Sequence, residues 1–122
     1  MKLHLAQAPG QNVFTGYGAG YVVINGTRHE AHLLVTAERV VPWKVEGFDG
    51  LGSAQAGELI ALEPEIVILG TGAAHRFPHP DLARTLSAAG IGLEVMDSNA
   101  ACRTYNILLA EGRRVLAAIL ID

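Results

Sequence analysis

Residues 97–121 read DSNAACRTYNILLAEGRRVLAAILI, and this stretch decides the fold. Polar residues open it, a run of small and apolar residues with helical character follows, and Gly112 ends the helix near Ala110. We expect Ser98 to cap the helix, because its hydroxyl can accept a hydrogen bond from a backbone N–H of the first turn. The apolar run from Arg113 to Ile121 then predicts the last strand of the chain.

Upstream of this stretch lies a unit of strand, helix and strand. Ile66 to Leu69 is an uninterrupted apolar run bounded by a proline and a glycine, which is typical of a central strand covered on both faces. The helix is predicted to begin at Pro80 and to end at Gly90, and the second strand covers Leu93 to Met96. A right-handed crossover of this kind makes the two strands parallel.

The first half of the chain is predicted to be β-structure. Tyr21 to Ile24 is a strand, and Asn25-Gly26 favours a two-residue hairpin because both positions tolerate positive φ. The partner strand extends from Thr27 to Thr36. A further strand is predicted over Glu38 to Trp43, in which Pro42 indicates an edge position or a strand end.

The segments that flank this hairpin region are less regular. The first dozen residues are expected to form a loose arm, and the glycines within Phe14 to Gly20 predict a flexible segment whose backbone can approach another group closely. Ser53 is expected to cap a short helix that continues to about Leu62. These elements predict one α/β domain over residues 1–122, with an N-terminal β-hairpin and a mixed sheet whose parallel part is covered by helices.

Composition excludes several classes of function. The chain has 122 residues, a net charge of -3 and 50% hydrophobic residues, so it lacks the basic footprint of a nucleic-acid-binding protein. No apolar run approaches the roughly 18 residues of a membrane span, and the beginning of the chain resembles neither a secretory signal nor a transit peptide. A cytoplasmic protein is therefore expected. The high apolar content indicates a self-association surface, and we expect a homodimer.

Two loops leave the carboxyl ends of the strands predicted to be parallel, and ligands bind at this edge in open α/β sheets. Glycine N–H groups and the positive end of a helix dipole suit an anion or a carboxylate, and an arginine in the second helical turn can reach back toward them. The candidate ligand-binding residues are Gly70, Thr71, Gly72, Ser98, Asn99 and Arg103. The alternative is that the glycines only permit a tight turn and that Ser98 only caps its helix.

The sequence offers weaker support for other chemistry. Cys102 is the only cysteine, and it is a candidate reactive thiol because a helix N-terminus and the adjacent Arg103 lower a thiol pKa, with His75 as a candidate base. The alternative is a small buried core residue. His29 and His32 point to opposite faces of one strand, so no metal site is expected. The third glycine of a dinucleotide motif falls at His75, so no nucleotide cofactor is expected either.

Three motifs carry a resemblance to a known family. They are AACRTYNILLAEGRRVLAAILI at residues 100–121, VILGTG at residues 67–72 and HLLVTAERVVPW at residues 32–43. From about Val13 to Ile121 the chain resembles the Mth938-like α/β family of bacteria and archaea, which also includes the mitochondrial assembly factor for respiratory complex I. The resemblance implies a three-layer fold with a mixed, partly parallel sheet and helices on both sides. It implies no catalytic residues, and the motif positions that match are 70–72 and 101–106.

Two functions remain open from the sequence. The first is a non-enzymatic module that binds protein partners in the manner of an assembly factor, and the lack of a complete set of catalytic residues favours it over an enzyme. The second is a binder of, or an enzyme acting on, a small anion or carboxylate held by the GTG loop and the helix N-terminus at Ser98. Because no transit peptide is recognised, a bacterial relative is expected, and the sequence leaves open whether the complex I role applies to it.

Overall fold

The computed structural model describes residues 10–122, so most of the loose arm expected at the start of the chain lies outside this range. The strands are β1 (Phe14–Gly18), β2 (Tyr21–Ile24), β3 (Thr27–His29), β4 (Leu33–Val35), β5 (Val40–Pro42), β6 (Ile66–Gly70), β7 (Gly92–Met96) and β8 (Val115–Ile119). The helices are α1 (Ser53–Ile60), α2 (Pro80–Ala88) and α3 (Ser98–Ala110), and a short 3-10 turn covers Phe48–Gly50. Among the described helices, none is both long and apolar enough to cross a membrane.

A mixed five-stranded sheet forms the centre of the fold, with the strand order β5-β4-β8-β6-β7. Strand β6 lies between β7 and β8 and is parallel to both, whereas β4 is antiparallel to β5 and β8. The parallel strand–helix–strand unit predicted from the sequence is therefore confirmed, and Ile68 and Leu69 are fully buried. Pro42 lies in the edge strand β5, where a residue without an N–H is tolerated.

Side chains that alternate along the central strands divide the core into two clusters. On β6, Val67 and Leu69 pack in the cluster that contains Leu59 of α1 and Leu82 of α2. Ile68 points to the opposite face, where the core consists of residues from α3, β1 and β2. The molecule therefore has three layers: α1 with α2, the five-stranded sheet, and α3 with the smaller sheet. This arrangement confirms the predicted α/β fold with helices on both sides of a mixed sheet.

The first half of the chain differs from the sequence prediction. The glycine-containing segment is not a flexible loop but strand β1, which pairs antiparallel with β2 because Phe14 and Tyr17 are buried in the core. The predicted partner strand from Thr27 to Thr36 is two strands. Strand β3 completes a three-stranded sheet in the order β1-β2-β3, and the chain then crosses to the larger sheet, where all of Leu33–Val35 is buried.

The Asn25-Gly26 turn joins β2 to β3 as the sequence predicts. Both residues have positive φ, 49° and 84°, which is the geometry of the hairpin turn that matches strand twist. The Asn25 side chain also accepts a hydrogen bond from the N–H of Val13 at 3.1 Å, and the backbone N–H of Asn25 donates to the carbonyl of Val13 at 3.0 Å. The turn is therefore fastened to the residue that precedes β1.

Helix α1 begins one residue away from the prediction. Gly52, not Ser53, is the N-cap, and its N–H donates to Oε1 of Gln55 at 3.0 Å. The Gln55 side chain at the third helical position thus accepts a hydrogen bond from the N-cap backbone. The predicted capping role of the Ser53 hydroxyl is therefore taken by other groups at this end of the helix. The helix ends at Ile60, two residues before the predicted limit.

Candidate functional site

The two loops singled out in the sequence meet at the carboxyl edge of the five-stranded sheet. The N–H of Ser98 donates to the carbonyl of Gly72 at 2.8 Å, and the N–H of Gly72 donates to Oγ of Ser98 at 2.8 Å. The same hydroxyl donates to the carbonyl of Leu120 at 2.6 Å. Ser98 is 6% exposed, so this one side chain joins the loop after β6, the start of α3 and the segment after β8 inside the protein.

This use of the hydroxyl corrects the predicted role of Ser98. Asp97 is the N-cap of α3, and its Oδ1 accepts a hydrogen bond from the N–H of Ala100 at 2.9 Å. Ser98 is the first residue of the helix itself. Aspartate and serine are both favoured at N-caps, so the sequence does not show which of the two residues is the cap. The structure does, because the Ser98 hydroxyl forms buried hydrogen bonds with the neighbouring loops and does not cap the helix.

Both glycines of the loop after β6 are required by close packing. A Cβ at Gly70 would lie 2.8 Å from Cα of Ser98, and a Cβ at Gly72 would overlap the carboxylate of Asp122. Gly72 also has a φ of 93°, which side chains rarely allow. These contacts give the two glycines a structural role whether or not a ligand binds nearby.

Thr71, the residue between them, organises the loop that follows. It is fully buried, and its Oγ1 donates to the carbonyl of Ala74 at 2.6 Å while it accepts from the N–H of Arg76 at 3.1 Å. The guanidinium of Arg76 then donates to the carbonyl of Thr71 at 2.6 Å. The loop is therefore held in one conformation by hydrogen bonds within five residues of its start.

A cavity of about 290 Å³ opens at this edge, and we call it the glycine crevice. Its lining residues are Gly18, Ala19, Gly20, Tyr21, Val22, Gly72, Ala73, Ser98, Asn99, Leu120, Ile121 and Asp122. The β1–β2 turn thus contributes to it, which agrees with the close approach expected of those glycines. Of the six candidate residues, Gly72, Ser98 and Asn99 line the described cavity. Gly70 and Thr71 are buried and lie outside that lining, and Arg103 instead donates to Oη of Tyr17 at 2.6 Å.

A carboxylate of the chain itself already occupies one N–H group of this loop. The N–H of Ala73 donates to Oδ2 of Asp122 at 2.6 Å, and Nη2 of Arg76 lies 3.7 Å from Oδ1 of the same side chain. The carboxylate bound at the Ala73 N–H therefore belongs to the chain itself. An external anion that uses the Ala73 N–H has to displace Asp122. The sequence contained no signal for this contact, because 49 residues separate the two partners.

Cys102 lies in the core of the protein. It is fully buried between the central sheet and the smaller sheet, and this burial raises the pKa of its thiol to about 12 although Arg103 lowers it in part. The thiolate is the reactive form of cysteine, so this environment favours the packing role. His75 is exposed and contacts the ring of Phe77, with 4.8 Å between the ring centroids. Residues 10–122 contain no group of three histidine, cysteine or acidic side chains arranged to hold a metal ion.

An exposed aromatic side chain on the loop after β6 was missed in the sequence. Phe77 is 82% exposed, and it follows Arg76, whose guanidinium lies 4.4 Å above the ring of Phe48. Pro78 follows Phe77 directly, but a phenylalanine in a sequence is interpreted as a core residue by default. Only the folded loop shows that this one faces solvent.

Proteins of three kinds are similar to this chain in sequence. An uncharacterized protein of Rhodobacter capsulatus is 40% identical over 86% of this chain and 81% of its own length. The 13 kDa major membrane protein of Francisella tularensis is 28% identical over 88% of this chain and 89% of its own length. The NADH dehydrogenase (ubiquinone) 1 alpha subcomplex assembly factor 3 of Bos taurus is 33% identical over 85% of this chain, which matches 58% of that longer protein.

Solved structures show the same fold. A crystal structure of a Bordetella parapertussis protein, 38% identical, has a TM-score of 0.88 and covers 95% of this chain and 100% of its own. The solution structure of a Bordetella pertussis protein described as a Mth938-like domain is 35% identical, has a TM-score of 0.80, and covers 100% of this chain and 93% of its own. A family profile described as "Protein of unknown function (DUF498/DUF598)" matches residues 14–120. The resemblance drawn from the three sequence motifs is thereby confirmed, and the chain belongs to this family, whose relatives include the complex I assembly factors.

Proposed function

We propose that this chain is a non-enzymatic module that binds a protein partner in an assembly-factor-like role, and that the loop around Phe77 anchors that partner. One observation carries the proposal: a large apolar side chain is 82% exposed on a loop whose backbone is fixed. Aromatic side chains, phenylalanine among them, are enriched at protein–protein interfaces relative to the rest of the protein surface. The assembly factors among the relatives support the same role.

The fixed loop matters because ordering a mobile surface segment on binding costs free energy and weakens the affinity for the partner. Thr71 and Arg76 hold the loop through three hydrogen bonds of 2.6–3.1 Å. Pro78 and Pro80 restrict the backbone on the other side of Phe77. The phenyl ring is therefore presented at a fixed place before a partner arrives.

Affinity capture from cells of the source organism tests this proposal with three tagged forms of the chain. They are the parent, Phe77→Ser and Ile107→Ser, where Ile107 is a second large apolar residue, 53% exposed on α3. We expect a co-purifying protein that the parent and Ile107→Ser retain and that Phe77→Ser loses. Equal recovery with Phe77→Ser and the parent contradicts the proposed anchor. Melting curves of the three proteins control for folding.

The glycine crevice supports a second candidate function, the binding of a small carboxylate or anion by the loop after β6. The supporting observation is the hydrogen bond of 2.6 Å from the Ala73 N–H to the Asp122 carboxylate. This pair shows the chemistry that an external carboxylate would use. The candidate ligand-binding residues in this proposal are those that line the crevice, namely Gly72, Ser98 and Asn99.

The proposal also keeps the cytoplasmic location and the homodimer expected from the sequence. Fractionation of the source cells followed by immunoblotting tests the location, since the Francisella relative is described as a membrane protein. A signal confined to the membrane fraction contradicts a cytoplasmic module. Light scattering tests the dimer, as described in the Discussion.

A further inference from the structure

A second cavity lies at the opposite end of the sheet from the glycine crevice. Its volume is about 520 Å³, which is within the range of sites that bind small molecules. Three connections surround it: the β4–β5 turn, the segment between α1 and β6, and the segment between α3 and β8. We call it the arginine cavity, because its lining includes Arg39, Arg113 and Arg114.

The lining combines an apolar floor with a charged rim. Pro64, Leu109 and Val115 are buried apolar residues of the floor. The rim carries the three arginines together with Glu38 and Glu63. Groups of both charges therefore lie on the rim above an apolar floor.

Two of the three guanidinium groups have their hydrogen-bond donors available. Arg113 is paired with Glu65 at 3.1 Å, outside the cavity lining. Within residues 10–122, the side chains of Arg39 and Arg114 make no hydrogen bond and no ion pair within 4.0 Å. A guanidinium presents five N–H donors in a planar fork that matches the oxygens of a phosphate or a carboxylate. Such groups are the standard means of holding an oxyanion.

Backbone hydrogen bonds fix the two arginines on the cavity wall. The N–H of Thr36 donates to the carbonyl of Arg39 at 2.8 Å, and the N–H of Arg39 donates to Oγ1 of Thr36 at 3.1 Å. The N–H of Arg114 donates to Oε1 of Glu65 at 2.9 Å, and its carbonyl accepts from the N–H of Glu65 at 2.9 Å. Both positions are held by main-chain atoms, so each guanidinium can be removed without breaking these bonds.

A strained residue also lies on the rim. Glu63 has a φ of 56°, a left-handed conformation that a glutamate rarely adopts, between the end of α1 and Pro64. Strained backbone of this kind concentrates at binding and catalytic sites. We propose that the arginine cavity binds a small molecule that carries an oxyanion group, phosphate or carboxylate, held by Arg39 and Arg114. The site is separate from the Phe77 loop and from the glycine crevice, so the proposal stands independently of the proposed function.

Titrations of the full chain with inorganic phosphate and with succinate, at constant ionic strength, test this proposal and distinguish the two sources of oxyanion. Binding is followed by NMR shifts of the backbone amides. We expect saturable shifts at residues 36–39 and 112–115 for at least one of the two probes. Arg39→Gln and Arg114→Gln should each weaken that binding roughly ten-fold or more, as expected for the loss of a charge-assisted hydrogen bond.

Arg28→Gln is the matched control, because it removes the same charge from β3, where Arg28 pairs with Glu30 at 2.7 Å outside the cavity. It should leave the affinity unchanged. Three results overturn the proposal: no saturable shift with either probe, shifts that map to Gly72 and Ala73, or an equal loss of affinity in the control. Melting curves show whether each variant is folded, and either arginine variant alone suffices if the other fails to fold.

Discussion

The side-chain amide of Asn106 pairs with the backbone of Phe14 as a neighbouring strand would. Its Oδ1 accepts from the N–H of Phe14 at 2.9 Å, and its Nδ2 donates to the carbonyl of Phe14 at 2.7 Å. Asn106 is 2% exposed, so α3 satisfies both backbone groups of a buried residue in β1. The preceding residue, Tyr105, packs edge-to-face against the ring of Phe14, with 5.2 Å between the centroids.

Asn106→Leu should therefore destabilise the fold by about 2–4 kcal/mol, because two buried backbone groups lose their partners. Urea denaturation followed by circular dichroism measures the change. Asn106→Asp keeps the acceptor for the Phe14 N–H but removes the donor and buries a charge. The loss of stability in Asn106→Asp should shrink in acid, because the introduced carboxyl is then protonated and can donate a hydrogen bond to the carbonyl of Phe14. A deficit that is independent of pH contradicts this account.

Glu65 should make the stability depend on pH. The N–H of Arg114 and the side chain of Arg113 hold the pKa of this carboxyl below its usual value of 4.5. A carboxyl with a lowered pKa in the folded protein stabilises it above that usual value, and the contribution disappears as the pH falls through the lowered pKa. Glu65→Gln should therefore be less stable than the parent at neutral pH and equal to it in strong acid. Melting temperatures of the parent and Glu65→Gln, measured from neutral to strongly acidic pH, test whether the two stabilities converge. Two curves that stay parallel over this range would contradict the role given to Glu65.

Gly72→Ala should destabilise the protein for two separable reasons. The new methyl group overlaps the Asp122 carboxylate, and the φ of 93° is unfavourable for any side chain, at about 1–3 kcal/mol. In the double variant with Asp122→Ala the steric part is relieved and the backbone part remains. A double-mutant cycle of unfolding free energies separates them, and strict additivity would show that the two positions do not interact.

Asp122→Asn tests the glycine crevice as a carboxylate site. The substitution removes the charge that the Ala73 N–H binds, so an added carboxylate no longer competes with an internal one. We expect acetate to raise the melting temperature of Asp122→Asn more than that of the parent at equal ionic strength. Arg84→Gln, a surface charge change on α2, serves as the control for nonspecific salt effects. The same response in all three proteins would end this hypothesis.

Self-association is the remaining expectation that a solution measurement can decide. The apolar content of the chain favours a second copy as a partner. Light scattering at micromolar concentration should give twice the monomer mass of 12.9 kDa. A mass of 12.9 kDa that does not change with concentration contradicts the dimer.

The parallel unit was predictable because its signals are local. An apolar run bounded by Pro64 and Gly70 and a helix that begins at Pro80 each depend on a few neighbouring residues. The break between β3 and β4 was not predictable, since His29 to Leu33 contains no strong turn signal and only the second sheet explains it. In the candidate site, the meeting of the two loops follows from topology, whereas the Asp122 contact depends on residues 49 positions apart.

The strand order also determines when the sheet can form as the protein is made. Strand β8 joins the β4–β5 pair to the β6–β7 pair, and it is synthesised after all the other described strands. Until it emerges, the two halves of the sheet have no hydrogen bonds to each other, and Leu33–Val35 of β4 has only its edge partner. Completion of this sheet therefore has to wait until β8 has been synthesised, and a nascent chain that stops before Val115 exposes two apolar strand edges to chaperones or to other nascent chains.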